Sequence, residues 1–197
     1  ANDLGTQYSL LTKYSDDAIV SGENMLLTFT NIGKDVFPEA TETMLDMSQA
    51  LGQDLKASSI QLGKALNDPV AGVSALRKVG VTFTEDQEKM IAKLVKSGDV
   101  IGAQRVVLAE LRKEFGGSAV AAGETFGGQL TILKNRLLNV GEGIGMSVLP
   151  LFQTLFDKVI TPALPTIEKF GSLLGQLITG FTEGGIASIP FQSALAN

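Results

Sequence analysis

The chain has neither cysteine nor histidine among its 197 residues. Together these absences remove disulfides, thiolate nucleophiles, Cys/His zinc sites and imidazole acid–base catalysis. Charge is sparse as well: charged residues make up 19% of the chain, with 16 Lys+Arg against 21 Asp+Glu, a formal net charge of −5. No stretch gathers basic residues into a groove that could follow phosphates, so specific nucleic-acid binding is not expected. Long apolar runs are missing too. The charge-free stretches from Gly143 to Phe156 and from Phe170 to Thr182 fall short of the roughly 20 residues a membrane-spanning helix requires. The opening Ala1-Asn2-Asp3 shows no charged n-region and apolar h-region, and the chain reads as an internal piece of a longer protein. No cofactor is expected.

What is present is helical periodicity. Hydrophobic residues make up 44% of the chain and recur at i, i+3 and i+4 almost throughout, while period-2 alternation is rare. The expectation is an all-α fold of about eight or nine helices. Ser15 before Asp16-Asp17 reads as an N-cap, and Pro38 suits a first helical turn, placing helices over 16–31 and 38–52. A short helix over 55–66 follows. Asp68-Pro69 then opens a helix that Gly80 ends, and Thr84-Glu85-Asp86-Gln87 is a capping box before Met90, Ile91, Leu94 and Val95. Asp99 caps the next helix, whose stripe of Val100, Gln104, Val107, Leu108, Leu111 and Phe115 has one polar interruption before Gly116-Gly117 stops it. The short loop between these last two helices predicts a packed helical hairpin.

After Gly128 the character changes. From 141 to 197 the only charged side chains are Glu142, Asp157, Lys158, Glu168, Lys169 and Glu183, and glycine and proline become frequent. Phe126, Leu130, Leu133, Leu137, Val140 and Ile144 advance in alternating steps of four and three, the seam of a helix that packs on another helix in heptad fashion. The seam extends through Val148, Leu151, Leu155 and Val159, with Gly141, Gly143, Gly145 and Pro150 expected to act as a hinge. The predicted organisation is a compact multi-helix bundle with helical hairpins over 1–125, followed by a longer apolar, Gly/Pro-hinged helical segment over 126–197.

Several features have a functional and a plain reading. Gly141-Glu142-Gly143-Ile144-Gly145 lacks the preceding strand and following Lys-Ser/Thr of a phosphate loop, so it reads as a flexible joint. The acidic groups Asp16-Asp17, Glu39/Glu42 and Glu85-Asp86-Glu88 read as first-turn residues that complement the helix dipole. Arg105, Glu110, Arg112, Lys113 and Glu114 read as the solvated face of their helix. The low-charge C-terminal third suits either burial in a helical bundle or a membrane surface.

One run of residues resembles a known family. Glu23–Ile32, Ala40–Gly52, Gln61–Pro69, Ala75–Thr84, Glu114–Ala119 and Gly127–Leu130 resemble, in order, the core region of bacteriophage and prophage tail tape measure proteins. The resemblance covers roughly Asp16 to Ile144. It implies a structural, non-enzymatic segment of a long helical protein that lies inside the phage tail tube, sets tail length during assembly and leaves ahead of the DNA on ejection. An α-helix advances 1.5 Å per residue, so this chain would reach only about 300 Å if fully helical, less than a whole ruler. The partners the resemblance implies are tail tube, tail tip and tail assembly chaperone proteins, with self-association and contact with the host membrane on ejection. The implied location is the virion tail lumen after synthesis in the host cytoplasm, and the host cell envelope during ejection. Two other functions stay open at this point: a membrane-perturbing segment that forms a channel for phage DNA, and a Glu-dependent peptidoglycan-cleaving enzyme. The resemblance carries over no catalytic residue.

Overall fold

In the computed structural model of the protein the described residues are 2–144 and, beyond them, 154, 157, 158, 161, 162, 165, 169 and 172. The fold is all-α. Nine helices run through residues 2–144: α1 (Asn2–Ser9), α2 (Asp16–Leu26), α3 (Phe37–Leu51), α4 (Leu55–Asn67), α5 (Pro69–Arg77), α6 (Glu85–Lys96), α7 (Val100–Phe115), α8 (Ser118–Glu124) and α9 (Phe126–Ile144). No strand occurs among the described residues.

The capping residues act as their positions require. Ser15 accepts from the Ala18 N–H at 3.3 Å, Asp68 from Ala71 at 3.1 Å and Asp99 from Gly102 at 2.8 Å. Thr84 and Gln87 exchange the paired bonds of a capping box. Each such cap satisfies an orphan N–H group, worth about 1 kcal/mol, and fixes where its helix begins. Asp54 caps α4 in the same way through Ala57.

One core joins α2 to α7. Met44, Leu62, Leu66, Leu76, Leu108 and Leu111 are fully buried in it, and each contributes roughly 1.5–3 kcal/mol by leaving water. The densest packing runs α2 on α4, α4 on α5 and α6 on α7, so the predicted hairpin is present. Two glycines permit the closest approaches. A Cβ on Gly72 would lie 2.5 Å from the Ala65 Cα, and one on Gly63 would lie 2.1 Å from the Phe29 ring. Without these glycines α4 could not seat against α5 and the 27–31 turn.

That turn corrects one boundary. Helix α2 ends at Leu26, not near 31, because the Thr28 hydroxyl donates to the Met25 carbonyl at 2.7 Å and the chain folds over so that Phe29 covers Gly63 and Ile32 is buried. Burying Ile32 and part of the Phe29 ring outweighs the few hydrogen bonds a longer helix would add. Two helices that periodicity does not announce, α1 and α8, are short, and the rest of the bundle shapes them.

By contacts, residues 1–135 form one compact unit and 136–197 a second, so the division falls within α9.

Candidate functional site

The residues with reach beyond the core lie on α9. Thr125 begins that helix: its backbone is extended, its hydroxyl oxygen accepts from the Gly128 N–H at 3.0 Å, and Gln129 donates to the Gly123 carbonyl at 2.9 Å. Gly128 is buried against the Ala122 and Gly123 carbonyls, where a Cβ would lie 2.1 Å from the nearer oxygen. Ile132 is buried as well, and Asn135 donates to the Lys13 carbonyl at 3.1 Å. Residues 128, 132 and 135 share one helix face, and that face holds α9 to the bundle.

The heptad seam occupies a different face. Phe126 is 49% exposed and Leu133 45% exposed, while Leu130 and Leu137 are half-buried. Every helix from α1 to α8 has a partner packed along it, whereas α9 has no such helical partner among the described residues. The seam therefore has the spacing of a helix interface and, over 126–133, an open apolar edge. Val140 and Ile144 continue the helical backbone, but their side chains lie outside the description. Val148, Leu151, Leu155 and Val159 lie outside the described residues. Of the expected hinge, Gly141 and Gly143 have helical backbone within α9, while Gly145 and Pro150 also lie outside.

The acidic and basic residues of α3, α6 and α7 have more structure than a solvated face. Glu110 is buried and accepts from Gln87 at 2.6 Å and Lys113 at 3.0 Å, and these bonds hold its carboxyl below the ordinary range. Glu114 accepts from the Thr82 backbone at 3.0 Å, and Arg112 reaches Glu39 at 3.0 Å and Glu42 at 3.8 Å. Thus the polar face of α7 is a set of ties to α3 and to the start of α6. Of this face only Glu110 is buried, which periodicity cannot foresee because Gln87 comes from another helix; Arg105, Arg112, Lys113 and Glu114 are exposed, as expected. The polar interruption of α7 has the same explanation: buried Gln104 donates to the Asn31 and Leu66 carbonyls at 2.8 and 2.9 Å.

Two buried carboxyls and one half-buried phenol carry titratable chemistry, and their environments say what they do. Asp46 of α3 accepts from the Gly117 and Ala119 N–H groups of α8 at 3.0 and 2.9 Å. Tyr14 donates to Ser48, which donates to the Gln53 carbonyl, and burial pushes the phenol's pKa up. Glu23 of α2 is fully buried and neither carboxyl oxygen has a well-formed hydrogen bond; the Thr41 hydroxyl nearby offsets only part of the effect of burial. Burial raises the Glu23 pKa above the ordinary value. These groups sit apart from a hollow of about 370 Å³ between α5 and α6 lined by Val70, Val73, Arg77, Glu88, Lys89 and Ala92. There Arg77 pairs with Glu88. Among the described residues no three acidic side chains converge as metal ligands would, and no helix is long and apolar enough to cross a membrane. Compared with protein-family models, curated proteins and solved structures, the chain finds no match.

Proposed function

We propose that the chain is a structural segment of a bacteriophage tail tape measure protein, a helical module that helps set tail length and takes part in genome ejection. The observation that carries this reading is the ordered run of residues from Asp16 to Ile144, whose caps, glycines and prolines follow the tape measure core pattern. In this chain those residues stand at helix starts, close helix crossings and turns, so the pattern has a physical basis in the fold. The open 126–133 edge of the seam is the contact surface of the module, toward a second copy or toward tail tube, tip or chaperone proteins. In-frame shortening or duplication of the encoding segment tests the ruler role: tails measured by electron microscopy change length in proportion, and tails of unchanged length count against it.

A membrane-active role is the second reading, favoured by the sparse charge after residue 141. Dye leakage from anionic vesicles on adding the whole chain supports it. Absence of both leakage and vesicle binding removes it.

A further inference from the structure

Helix α8 begins without a cap of its own. Its N-cap is Gly117, which has no side chain, and the backbone there stands at φ +80°, a left-handed conformation that suits glycine. The missing cap is supplied from another helix. Asp46, on α3 and 5% exposed, presents one carboxylate oxygen to the Gly117 N–H and the other to the Ala119 N–H. A carboxylate at a helix N-terminus makes charge-assisted hydrogen bonds, roughly twice as strong as neutral ones.

The segment that follows is otherwise held by small side chains and single hydrogen bonds. Beyond Leu111 the buried apolar side chains among the described residues are only Ala119 and Ile132. Helix α8 packs on α3, a Cβ on Gly123 would lie 2.1 Å from the Leu11 carbonyl, and Asn135 adds its single bond to Lys13. On its N-terminal side the segment meets the bundle through Gly116-Gly117, whose backbone rotates with little steric resistance.

We propose that Asp46 is a latch and residues 118–135 an arm that opens as a unit about the Gly116-Gly117 hinge while α2–α7 stay folded. The closed arm has one free face, carrying Phe126 and Leu133. Opening frees the face carrying Ile132 as well, and α9 changes from a helix with one contact edge to a helix with two. This inference stands on the geometry of residues 1–135 and does not depend on the tape measure reading.

Hydrogen exchange on the full chain tests it. Asp46→Asn replaces one acceptor oxygen by a donor facing an N–H, and the expected result is a loss of protection of about tenfold or more over 118–135, with the amides of α4 and α7 unchanged. Gly117→Ala leaves α3 intact and meets no neighbouring atom, yet strains the left-handed corner, so it opens the arm by a second route. Because the chain has no cysteine, spin labels at Ala50→Cys and Ala121→Cys, both exposed positions, report the motion directly. The wild-type background gives one narrow distance distribution, and either variant adds a longer population. Protection lost equally over the whole of 2–135, or an unchanged arm in both variants, overturns the latch.

Discussion

The bundle from α2 to α7 and the arm from α8 to the start of α9 are both helical and are held by different forces. In the bundle, large aliphatic side chains such as Leu66, Leu108 and Leu111 are fully buried, and every helix but α3 starts at a side-chain cap of its own. In the arm, alanines and glycines make the approach, the cap of α8 is borrowed from α3, and apolar side chains such as Phe126 and Leu133 face outward. The difference separates two uses of hydrophobicity. Inside the bundle it is consumed by folding; on α9 part of it stays exposed, as at Phe126 and Leu133.

Truncation of a core leucine tests that contrast most strongly. Leu108→Ala removes a fully buried side chain at the centre of α7 and should cost about 2–5 kcal/mol in urea unfolding. Leu133→Ala, at 45% exposure, should cost about 0.5 kcal/mol or less in the same measurement. It should instead lower the native mass if the seam joins copies. Equal costs at the two sites would erase the distinction between bundle and arm.

Two buried carboxyls sharpen the picture within the bundle, because their linkage to pH has opposite signs. Glu110 has a folded pKa below its unfolded value, so the stability it provides is present above pH about 4.3 and is lost as pH falls through the folded value. Glu23 has a folded pKa above its unfolded value, so stability declines as pH rises from about 4.3 through the folded value. Glu110→Gln should therefore destabilise at neutral pH, by about 1–2 kcal/mol, and the deficit should shrink in acid. Glu23→Met keeps the volume and removes an unpaired buried carboxyl, and should stabilise at neutral pH by on the order of 1 kcal/mol, with the gain fading in acid. Denaturant midpoints of each variant between pH 3.5 and 7.5 check both signs. Matching pH trends in the two variants would contradict the assignment.

The smallest effect belongs to the surface. Lys89 and Glu85 form an i, i+4 pair with both side chains mostly exposed, so Lys89→Ala should move stability by about 0.5 kcal/mol or less. A larger loss would mean that the α5–α6 groove has an energetic role that its open lining does not suggest.

Much of the bundle was legible in the sequence because its signals are local. Ser15, Asp68, Thr84 and Asp99 each act on N–H groups within three residues, and the predicted helix starts follow from them. What could not be read depends on distant partners. Glu110 and Gln104 look like a surface charge and a flaw in a stripe until Gln87, Asn31 and Leu66 are brought beside them. Glu42 was expected to serve a helix dipole and instead faces Arg112 of α7. Helix α8 has no cap in its own sequence because Asp46 stands more than seventy residues earlier. For the seam, spacing marked an apolar helix face, and the fold adds that Phe126 and Leu133 on it are exposed.

Gln104 has a wider consequence. Greasy stripes on neighbouring helices are nearly interchangeable from turn to turn, so a bundle held only by aliphatic side chains could settle one turn out of step at modest cost. A single amide that must find two particular carbonyls, those of Asn31 and Leu66, makes every displaced alignment strand a buried donor. The native alignment leaves only the Gln104 amide oxygen without a partner, whereas a displaced one strands the donor as well, so the alternatives are rejected without any added bulk in the core.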